Sequence, residues 1–358
     1  MKKRTLFIIP VLFLTYLDHN IIQAQDTDIY SLLTERYVDR PINVHRGQIQ
    51  INTGYELSVL NRKFDLHGKA VNLAKDGSAA MQHLFPLDIR FGVLEHLQIS
   101  AGINYARTGI RERNIWIAGY DTELSIDELN EYKGPDNLQL GLAFKAPLGL
   151  KNFDWIIHGN ISIPVFSTRP DRPAHTVFTP LMATTTQISY YYKNKFGSGI
   201  LTGALGTDLK FHTSHFSIFL SGNFTAPFKE ATNIQWKSIL IENEFQYYTQ
   251  EFNFKCGKQV QYSVLFAYQA INWLALELFI NGNNTFGGWS DVTGKKIGYR
   301  PQNLVAGGLG YEIMVSPHLR LYQTIDFPVT GENIMGFLAI TTTLSINFIS
   351  GSYYNIFK

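Results

Sequence analysis

The chain has 358 residues, enough for one large domain or two ordinary ones. Aromatic residues make up 14% of it, charged residues only 17%, and there are 29 glycines, a composition that suits strands and tight turns better than helices. The formal net charge of +2 excludes the strong basic excess typical of nucleic-acid binding, and the single cysteine, Cys256, excludes an internal disulfide.

Residues 1–24 have the features of a cleavable signal peptide. Basic residues at positions 2–4 precede an apolar stretch from Thr5 to Leu17, and Ala24 supplies a small residue before the predicted cleavage site. The apolar stretch is too short to cross a bilayer as a helix, which needs roughly 20 residues. Cleavage would leave 28 basic and 28 acidic residues, so the sequence predicts an exported chain without a strongly charged partner.

Residues 25–45 are polar and precede the first predicted strand. Within them, Tyr30, Leu32, Leu33 and Tyr37 are spaced for one face of a short amphipathic helix, which would enter the lumen of a barrel. The alternative is a loose periplasmic leader, which the polar composition favours. The stretch is too short for the plug domain of an energised transporter.

From residue 48 onward, apolar and polar residues alternate in stretches long enough to cross a membrane as tilted strands. Between Gln48 and Val59 the period of two holds for 12 residues, whereas a soluble strand averages about half that length. These patterns predict an all-β fold, a membrane-spanning antiparallel up-and-down β-barrel over residues 46–348, followed by a C-terminal tail at 349–358. The clear strands are predicted at 48–59, 87–93, 97–105, 138–144, 153–163, 188–192, 200–211, 216–224, 260–268, 274–280, 305–313, 319–329 and 338–348.

Connection lengths predict the orientation and the number of strands. Short turns alternate with long loops, and in barrels of this type the short turns face the periplasm. Termini on one side of the membrane require an even number of strands, so a weaker strand around 238–248 would bring the total to fourteen. The alternative is twelve strands, with one hairpin outside the wall. The short turns are predicted near residues 95, 150, 195, 271 and 316.

Charged residues on one parity of the strands are predicted to line the lumen, because charges are costly against lipid. They are interpreted either as a conduit that selects what passes or as an ion-pair network that fills a barrel of intermediate width. Both interpretations stay open. The candidates are Glu56, Asp88, Arg90, Lys145, Asp154, His158, Glu277, Glu312, Arg320 and Asp326.

Sequence motifs for catalysis were sought as well. The chain has no G-x-S-x-G, no H-E-x-x-H and no phosphate-binding glycine loop. His212 and His215 flank Ser214 in a predicted tight turn, an arrangement that usually carries solvated polar side chains. We therefore expect no enzymatic activity, no metal and no cofactor.

Three blocks of the sequence resemble one outer-membrane family. Leu87–Ile99 has an Arg-aromatic-Gly strand end, a tight turn and a second alternating strand. Asp136–Lys145 resembles the Asp…Leu-Gly…Lys strand that follows in that family, and Asn303–Leu321 resembles its late strand, turn and strand. The family is the one labelled after the MetA pathway of phenol degradation.

The resemblance covers much of residues 84–165 and 258–348, whereas residues 212–256 have the pattern of an inserted hairpin and loop. It implies outer-membrane transport of small, often hydrophobic compounds. A signal peptide ending in Ala-Gln is also common in the Bacteroidota.

These patterns together predict a barrel in the outer membrane of a Gram-negative bacterium that acts as a channel for passive or selective uptake of small compounds, hydrophobic ones included. The alternative is a non-conducting barrel that serves as an anchor or accessory of a secretion or surface assembly. The expected partners are outer-membrane lipid, a small-molecule solute and the barrel assembly machinery, and nucleic acid is not expected.

Overall fold

The computed structural model of the chain describes residues 27–72, 79–112, 115–116, 123–124, 128–164, 186–190, 200–241, 244–291 and 294–349. The predicted signal peptide at 1–24 and residues 350–358 of the predicted tail lie outside the described residues.

Twelve antiparallel strands form a closed wall. Each of these strands overlaps a stretch that the sequence predicts, and several extend well beyond it, as the first two do. In chain order the strands are β1 (Gln48–Phe64), β2 (Ala79–Leu94), β3 (Leu97–Glu112), β4 (Leu138–Lys145), β5 (Phe153–Ile163), β6 (Thr202–His212), β7 (Phe216–Pro227), β8 (Lys258–Ile271), β9 (Leu274–Phe286), β10 (Gln302–Ser316), β11 (Leu319–Glu332) and β12 (Ile334–Ile349).

The first strand closes the barrel by pairing on both sides. β1 pairs with β12 from Gln48↔Ile349 to Phe64↔Ile334, and with β2 from Ile49↔Phe91 to Leu60↔Ala80. Closure satisfies the backbone hydrogen bonds of every wall strand, which a sheet inside a membrane requires because lipid offers no partners.

The strand count corrects part of the sequence prediction. The described part of the predicted strand at 188–192 is not in the wall, because Thr186–Tyr190 pairs with Ala231–Ile241 in a separate sheet. The weaker strand at 238–248 is the tip of a hairpin formed by Ala231–Ile241 and Glu244–Lys255. Fourteen is therefore wrong, and the alternative of twelve strands with a hairpin outside the wall is confirmed. Alternation marks a strand but does not say which sheet it joins.

Short elements complete the described chain. One helix, α1 (Thr27–Leu33), precedes the wall. Trp289–Ser290 and Ile297–Gly298 extend the separate sheet to five strands. The other short strands are Ala70–Asn72, Ile115–Trp116, Glu123–Leu124 and Glu128–Pro135, of which the first pairs with β1 and the last with β3.

The two faces of the wall differ in chemistry. On β9, Leu276, Leu278 and Ile280 are 46%, 54% and 51% exposed, whereas the alternate residues Glu277 and Phe279 are 4% and 6% exposed. A water-soluble protein buries such leucines, so an apolar outer face of this kind belongs against lipid. No helix among the described residues is long and apolar enough to cross a membrane.

The two ends of the barrel differ in their connections. Two-residue turns join β2 to β3, β8 to β9 and β10 to β11 at one end, which we call the short-turn end. The start of β1 and the finish of β12 also lie there, because Gln48 pairs with Ile349. The opposite end carries the separate sheet and the longer connections, apart from the one-residue link at Asn333 between β11 and β12.

Candidate functional site

Residues 27–47, which we call the N-terminal segment, lie inside the short-turn end of the lumen. Leu33 and Val38 are 1% and 0% exposed, although few of the residues around them in the sequence are apolar. The segment includes α1 and then runs irregularly to Gly47, whose amide donates to Gly92 O at 2.8 Å. Of the two alternatives for residues 25–45, these contacts are those of a lumen segment.

Charged wall residues bind the backbone of the N-terminal segment. Lys210 Nζ donates to Tyr37 O at 3.0 Å and to Arg40 O at 2.6 Å. Arg320 Nη2 donates to Leu33 O at 2.8 Å. Hydrogen bonds from a charged donor are stronger than neutral ones, so these two cations hold the carbonyls that irregular backbone leaves without helical partners.

Amide and carboxylate side chains of the wall accept hydrogen bonds from the backbone N–H groups of the segment. Val38 N donates to Gln269 Oε1 at 3.3 Å, and Val44 N donates to Gln98 Oε1 at 3.0 Å. Ile42 N donates to Asp154 Oδ2 at 3.4 Å. With Lys210 and Arg320, the contacts reach strands β3, β5, β6, β8 and β11, on all sides of the lumen.

A buried ion pair joins Arg40 of the N-terminal segment to Glu312 of the wall. Arg40 Nη2 lies 2.6 Å and 2.7 Å from the two carboxylate oxygens of Glu312. Burial disfavours the charged guanidinium, but the Glu312 carboxylate outweighs burial and raises the pKa of Arg40. Nearby, burial first and the Glu277 carboxylate second raise the pKa of Tyr37 well above its ordinary value, so its hydroxyl stays protonated.

A glycine on the wall makes room for the backbone of the segment. A Cβ atom at Gly92 would lie 2.0 Å from His45 O and 2.9 Å from Val44 O. Arg46 forms a parallel bridge with Gly92 at the same point. The Arg-aromatic-Gly motif at residues 90–92 therefore ends in glycine because two backbones meet there.

The ten predicted lumen residues lie on the parity of their strands that alternates with the exposed apolar residues. Glu312, Arg320 and Asp154 contact the N-terminal segment, and Lys145 Nζ pairs with Asp154 Oδ1 at 2.6 Å. Glu277 accepts a hydrogen bond from Tyr322 Oη at 2.6 Å.

The other five predicted residues lie farther along the lumen. Arg90 Nε pairs with Asp88 Oδ2 at 2.7 Å, and His158 Nε2 lies 3.4 Å from Asp208 Oδ1. Glu56 Oε1 accepts from Ser58 Oγ at 2.7 Å, and Asp326 Oδ2 accepts from Thr324 Oγ1 at 3.5 Å. The ten residues are thus spread along the lumen in small groups and do not converge on one point.

Sequence reasoning missed Lys210, Gln269 and Arg40. Lys210 alternates with Phe211 and Leu209 on β6, so its parity could have placed it in the lumen. Nothing in the sequence marks Arg40 as the partner of Glu312, because the two residues are 272 positions apart.

The histidine turn between β6 and β7 does not form a joint site. His212 Nδ1 lies 4.0 Å from Asp39 Oδ1 of the N-terminal segment. Ser214 Oγ and His215 Nδ1 share a hydrogen bond of 2.9 Å on the exposed turn. Within the described part of the chain, no group of three His, Cys, Asp or Glu side chains could hold a metal ion.

Above the N-terminal segment the lumen contains open space. Three cavities of about 550, 270 and 240 Å³ share Ile42 of the segment and Arg90 of β2 in their linings. A larger hollow of about 820 Å³ is lined mostly by outward apolar residues such as Leu140, Leu205 and Phe228. That hollow belongs to the lipid-facing side, so the candidate solute site is the space inside the wall, whose lining combines polar and apolar side chains.

The closed wall and its apolar outer face define the class: a membrane-spanning β-barrel. No family model matches the chain, and no curated protein matches it. Among solved structures it is similar to the COG4313 outer membrane channel from Pseudomonas putida F1, with a TM-score of 0.59 and 10% identity over 91% of this chain and 100% of that one.

Weaker likenesses are to the toluene transporter TodX of Pseudomonas putida and to the NanC porin. The TodX match has a TM-score of 0.43 at 7% identity, covering 90% of this chain and 94% of that one. The NanC match has a TM-score of 0.41 at 8% identity, covering 83% and 98%. At these identities the comparisons show the fold alone.

Proposed function

We propose that the chain is a channel for small solutes whose short-turn end is closed by the N-terminal segment. The observation that carries this proposal is the division of the lumen: a peptide segment fills one end, while cavities lined by both polar and apolar side chains remain above it. A barrel whose only task is anchoring would not need to keep that space open.

In this proposal, residues 1–24 direct export and the short-turn end faces the periplasm of a Gram-negative bacterium. The alternation of the strands and the Ala-Gln end of the signal peptide support this placement, the latter pointing to the Bacteroidota. Assembly then depends on the barrel assembly machinery. Resemblance to the MetA-pathway family adds small hydrophobic compounds as a solute class, and no enzymatic step is part of the proposed function.

Passage requires the N-terminal segment to move. It is held by hydrogen bonds and by the ion pair between Arg40 and Glu312, and it continues into the wall at Gly47, whose φ is 73°. That backbone conformation favours glycine and suits a pivot. Displacement about Gly47 would open the short-turn end without breaking the closed wall.

A non-conducting anchor is the second candidate. Two observations favour it: the closed short-turn end and the five-stranded sheet outside the wall, which could present a surface to a partner. It predicts a lumen that stays sealed whatever is done to the N-terminal segment.

Swelling of liposomes that contain the folded protein separates the two candidates. The solutes are neutral, anionic and cationic compounds of similar size, and protein-free liposomes are the control. The channel proposal predicts swelling above the control, with a charge preference that changes in Arg90→Gln and Lys145→Gln. No swelling with any solute, in wild type or in a variant with a loosened N-terminal segment, would overturn it.

A further inference from the structure

Six uncharged polar side chains form a regular array on the lumen face of β7, β8 and β9. One row joins Ser221, Ser263 and Asn281, because Ser221 pairs with Ser263 and Ser263 with Asn281. The next row, two residues along each strand, joins Asn223, Gln261 and Asn283 in the same manner. We call these six residues the polar grid. All six line the cavity of about 550 Å³.

Half of the polar grid is free to bind a ligand. Ser263, Asn281 and Asn283 make no side-chain hydrogen bond to any other residue that the structure describes, and Gln261 and Asn281 are exposed to the lumen. Asn223 Nδ2 reaches Gln261 Oε1 only at 3.4 Å. Asn223 Oδ1 and Asn283 Oδ1 are buried, whereas the exposed amides of Gln261 and Asn281 offer donors and acceptors together. Through these amides the array can bind groups that donate and accept at once, as hydroxyls do.

The charged side chains around the cavity already have partners. Arg90 pairs with Asp88 at 2.7 Å, and Asp208 lies 3.4 Å from His158 while also accepting from Ser221 Oγ at 2.6 Å. No charged side chain belongs to the polar grid itself. A charged ligand would have to compete with these existing pairs, whereas a neutral one would not.

Apolar side chains flank the polar grid on two sides. Phe219 lies two residues before Ser221 on the same face of β7, and Leu304 of β10 pairs with Asn283. Both line the same cavity, as does Ile42 of the N-terminal segment. A flat ring with hydroxyls at its edge and C–H groups on its faces matches this combination.

We infer that the polar grid binds a neutral ring compound that carries several hydroxyl groups, such as a monosaccharide or a cyclic polyol. The array spans three neighbouring strands in one direction and two residues along each strand in the other, so it measures roughly 10 Å by 7 Å. That area suits one such ring. The cavity of about 550 Å³ also falls in the usual size range of small-molecule sites. The inference rests on the proposed function, since it names a solute for the same lumen.

The test measures binding to the full-length folded protein in detergent by isothermal titration calorimetry, so that it does not depend on passage. The probes are myo-inositol and glucose, with cyclohexanol as a ring that carries one hydroxyl. We expect saturable binding of a polyol and at least tenfold weaker binding of cyclohexanol, because unpaired polar groups in a site penalise a ligand that lacks the matching hydroxyls.

Two variants and one control locate the site. Asn281→Leu and Asn283→Leu should each weaken polyol binding about tenfold. Gln139→Leu removes an amide from β4 that lines a different cavity, and its binding should equal that of wild type. Retained heat-modifiable migration on gels checks that each variant is folded.

Saturable binding of neither polyol to folded wild type, or equal binding of cyclohexanol and myo-inositol, would overturn the inference. An equal loss in Gln139→Leu would also contradict it. Polyol binding in detergent without any liposome swelling would sink the channel proposal and leave the polar grid standing. Liposome swelling without polyol binding would overturn the inference about the polar grid and leave the channel proposal standing.

Discussion

Arg40 and Glu312 join the N-terminal segment to β10 through a buried ion pair in which one guanidinium nitrogen lies 2.6 Å and 2.7 Å from the two carboxylate oxygens. Their side chains are only 17% and 13% exposed. The carbonyl of Arg40 also accepts a hydrogen bond from Lys210 at 2.6 Å. One residue of the segment is therefore tied to two strands, through its side chain and through its backbone.

Arg40→Ala should loosen the N-terminal segment. It leaves the Glu312 carboxylate buried without its partner, a change that costs about 3–5 kcal/mol in comparable pairs. We expect liposome swelling to become severalfold faster and the segment to become sensitive to protease. Arg36→Ala is the matched control, because the pair of Arg36 with Asp39 lies within the segment and is more exposed, where such pairs contribute about 0–1 kcal/mol. Equal effects of the two substitutions would contradict the assigned role of Arg40.

Gly92→Ala should displace the N-terminal segment by steric conflict. The added methyl group would lie 2.0 Å from His45 O, a backbone atom that cannot rotate away. Protease cleavage within the segment is the readout, and we expect it to become much faster than in wild type. Gly222→Ala on β7 is the control, since a Cβ there meets nothing within 4 Å. Wild-type protection in Gly92→Ala would show that the close approach is not needed.

A charged side chain on the outer face of β9 should destabilise the barrel. Leu278 is 54% exposed, and a charged residue facing lipid near the bilayer centre costs about 2–4 kcal/mol. Leu278→Arg should lower the free energy of unfolding in lipid vesicles by about that amount. Gln139→Arg, on the lumen side of β4, should cost much less. If both substitutions cost the same, the assignment of the two faces is wrong.

The stability of the turn after β1 should decrease at acidic pH. The Asp65 carboxylate accepts backbone N–H groups of Lys69 and His67, each at 2.8 Å, and these bonds lower its pKa. A lowered folded-state pKa means that the stabilisation is present above the unfolded value near 4 and is lost as pH falls through the folded one. Hydrogen exchange at the amides of His67 and Lys69 should therefore speed up toward pH 3 relative to the intrinsic rate. Asp65→Asn should remove that pH dependence, and a persistent dependence would exclude Asp65 as its cause.

The wall could be predicted from the sequence because its signal is local. Period-two alternation from Gln48 to Val59 reflects lipid on one side and lumen on the other, and each wall strand repeats it. The position of Thr186–Tyr190 could not be predicted, because pairing with Ala231–Ile241 depends on contacts across a long separation. Alternation is the same for a strand in the wall and for one beside it.

The residues that line the lumen could also be predicted from local alternation, but their partners could not. Parity identifies Glu312 and Arg320 as inward residues, but it cannot say that their partners are Arg40 and the carbonyl of Leu33. The polar sequence of residues 25–45 favours a loose leader, because its few apolar residues do not reveal how well they are buried. What orders the segment is the set of donors and acceptors that the wall supplies, such as Lys210 and Gln269.

The most direct test of the account locks the N-terminal segment to the wall. Val44→Cys and Gln98→Cys, combined with Cys256→Ser, place thiols on two residues in contact, since Val44 N donates to Gln98 Oε1 at 3.0 Å. Mass spectrometry of the oxidised protein checks that the disulfide has formed. Swelling is measured for oxidised and reduced protein in the same liposomes, with each single-cysteine variant as a control for the oxidant. The account predicts that swelling stops when the disulfide forms and returns on reduction. Equal swelling in the oxidised and reduced states would show that solutes pass without movement of the segment and would contradict the central claim.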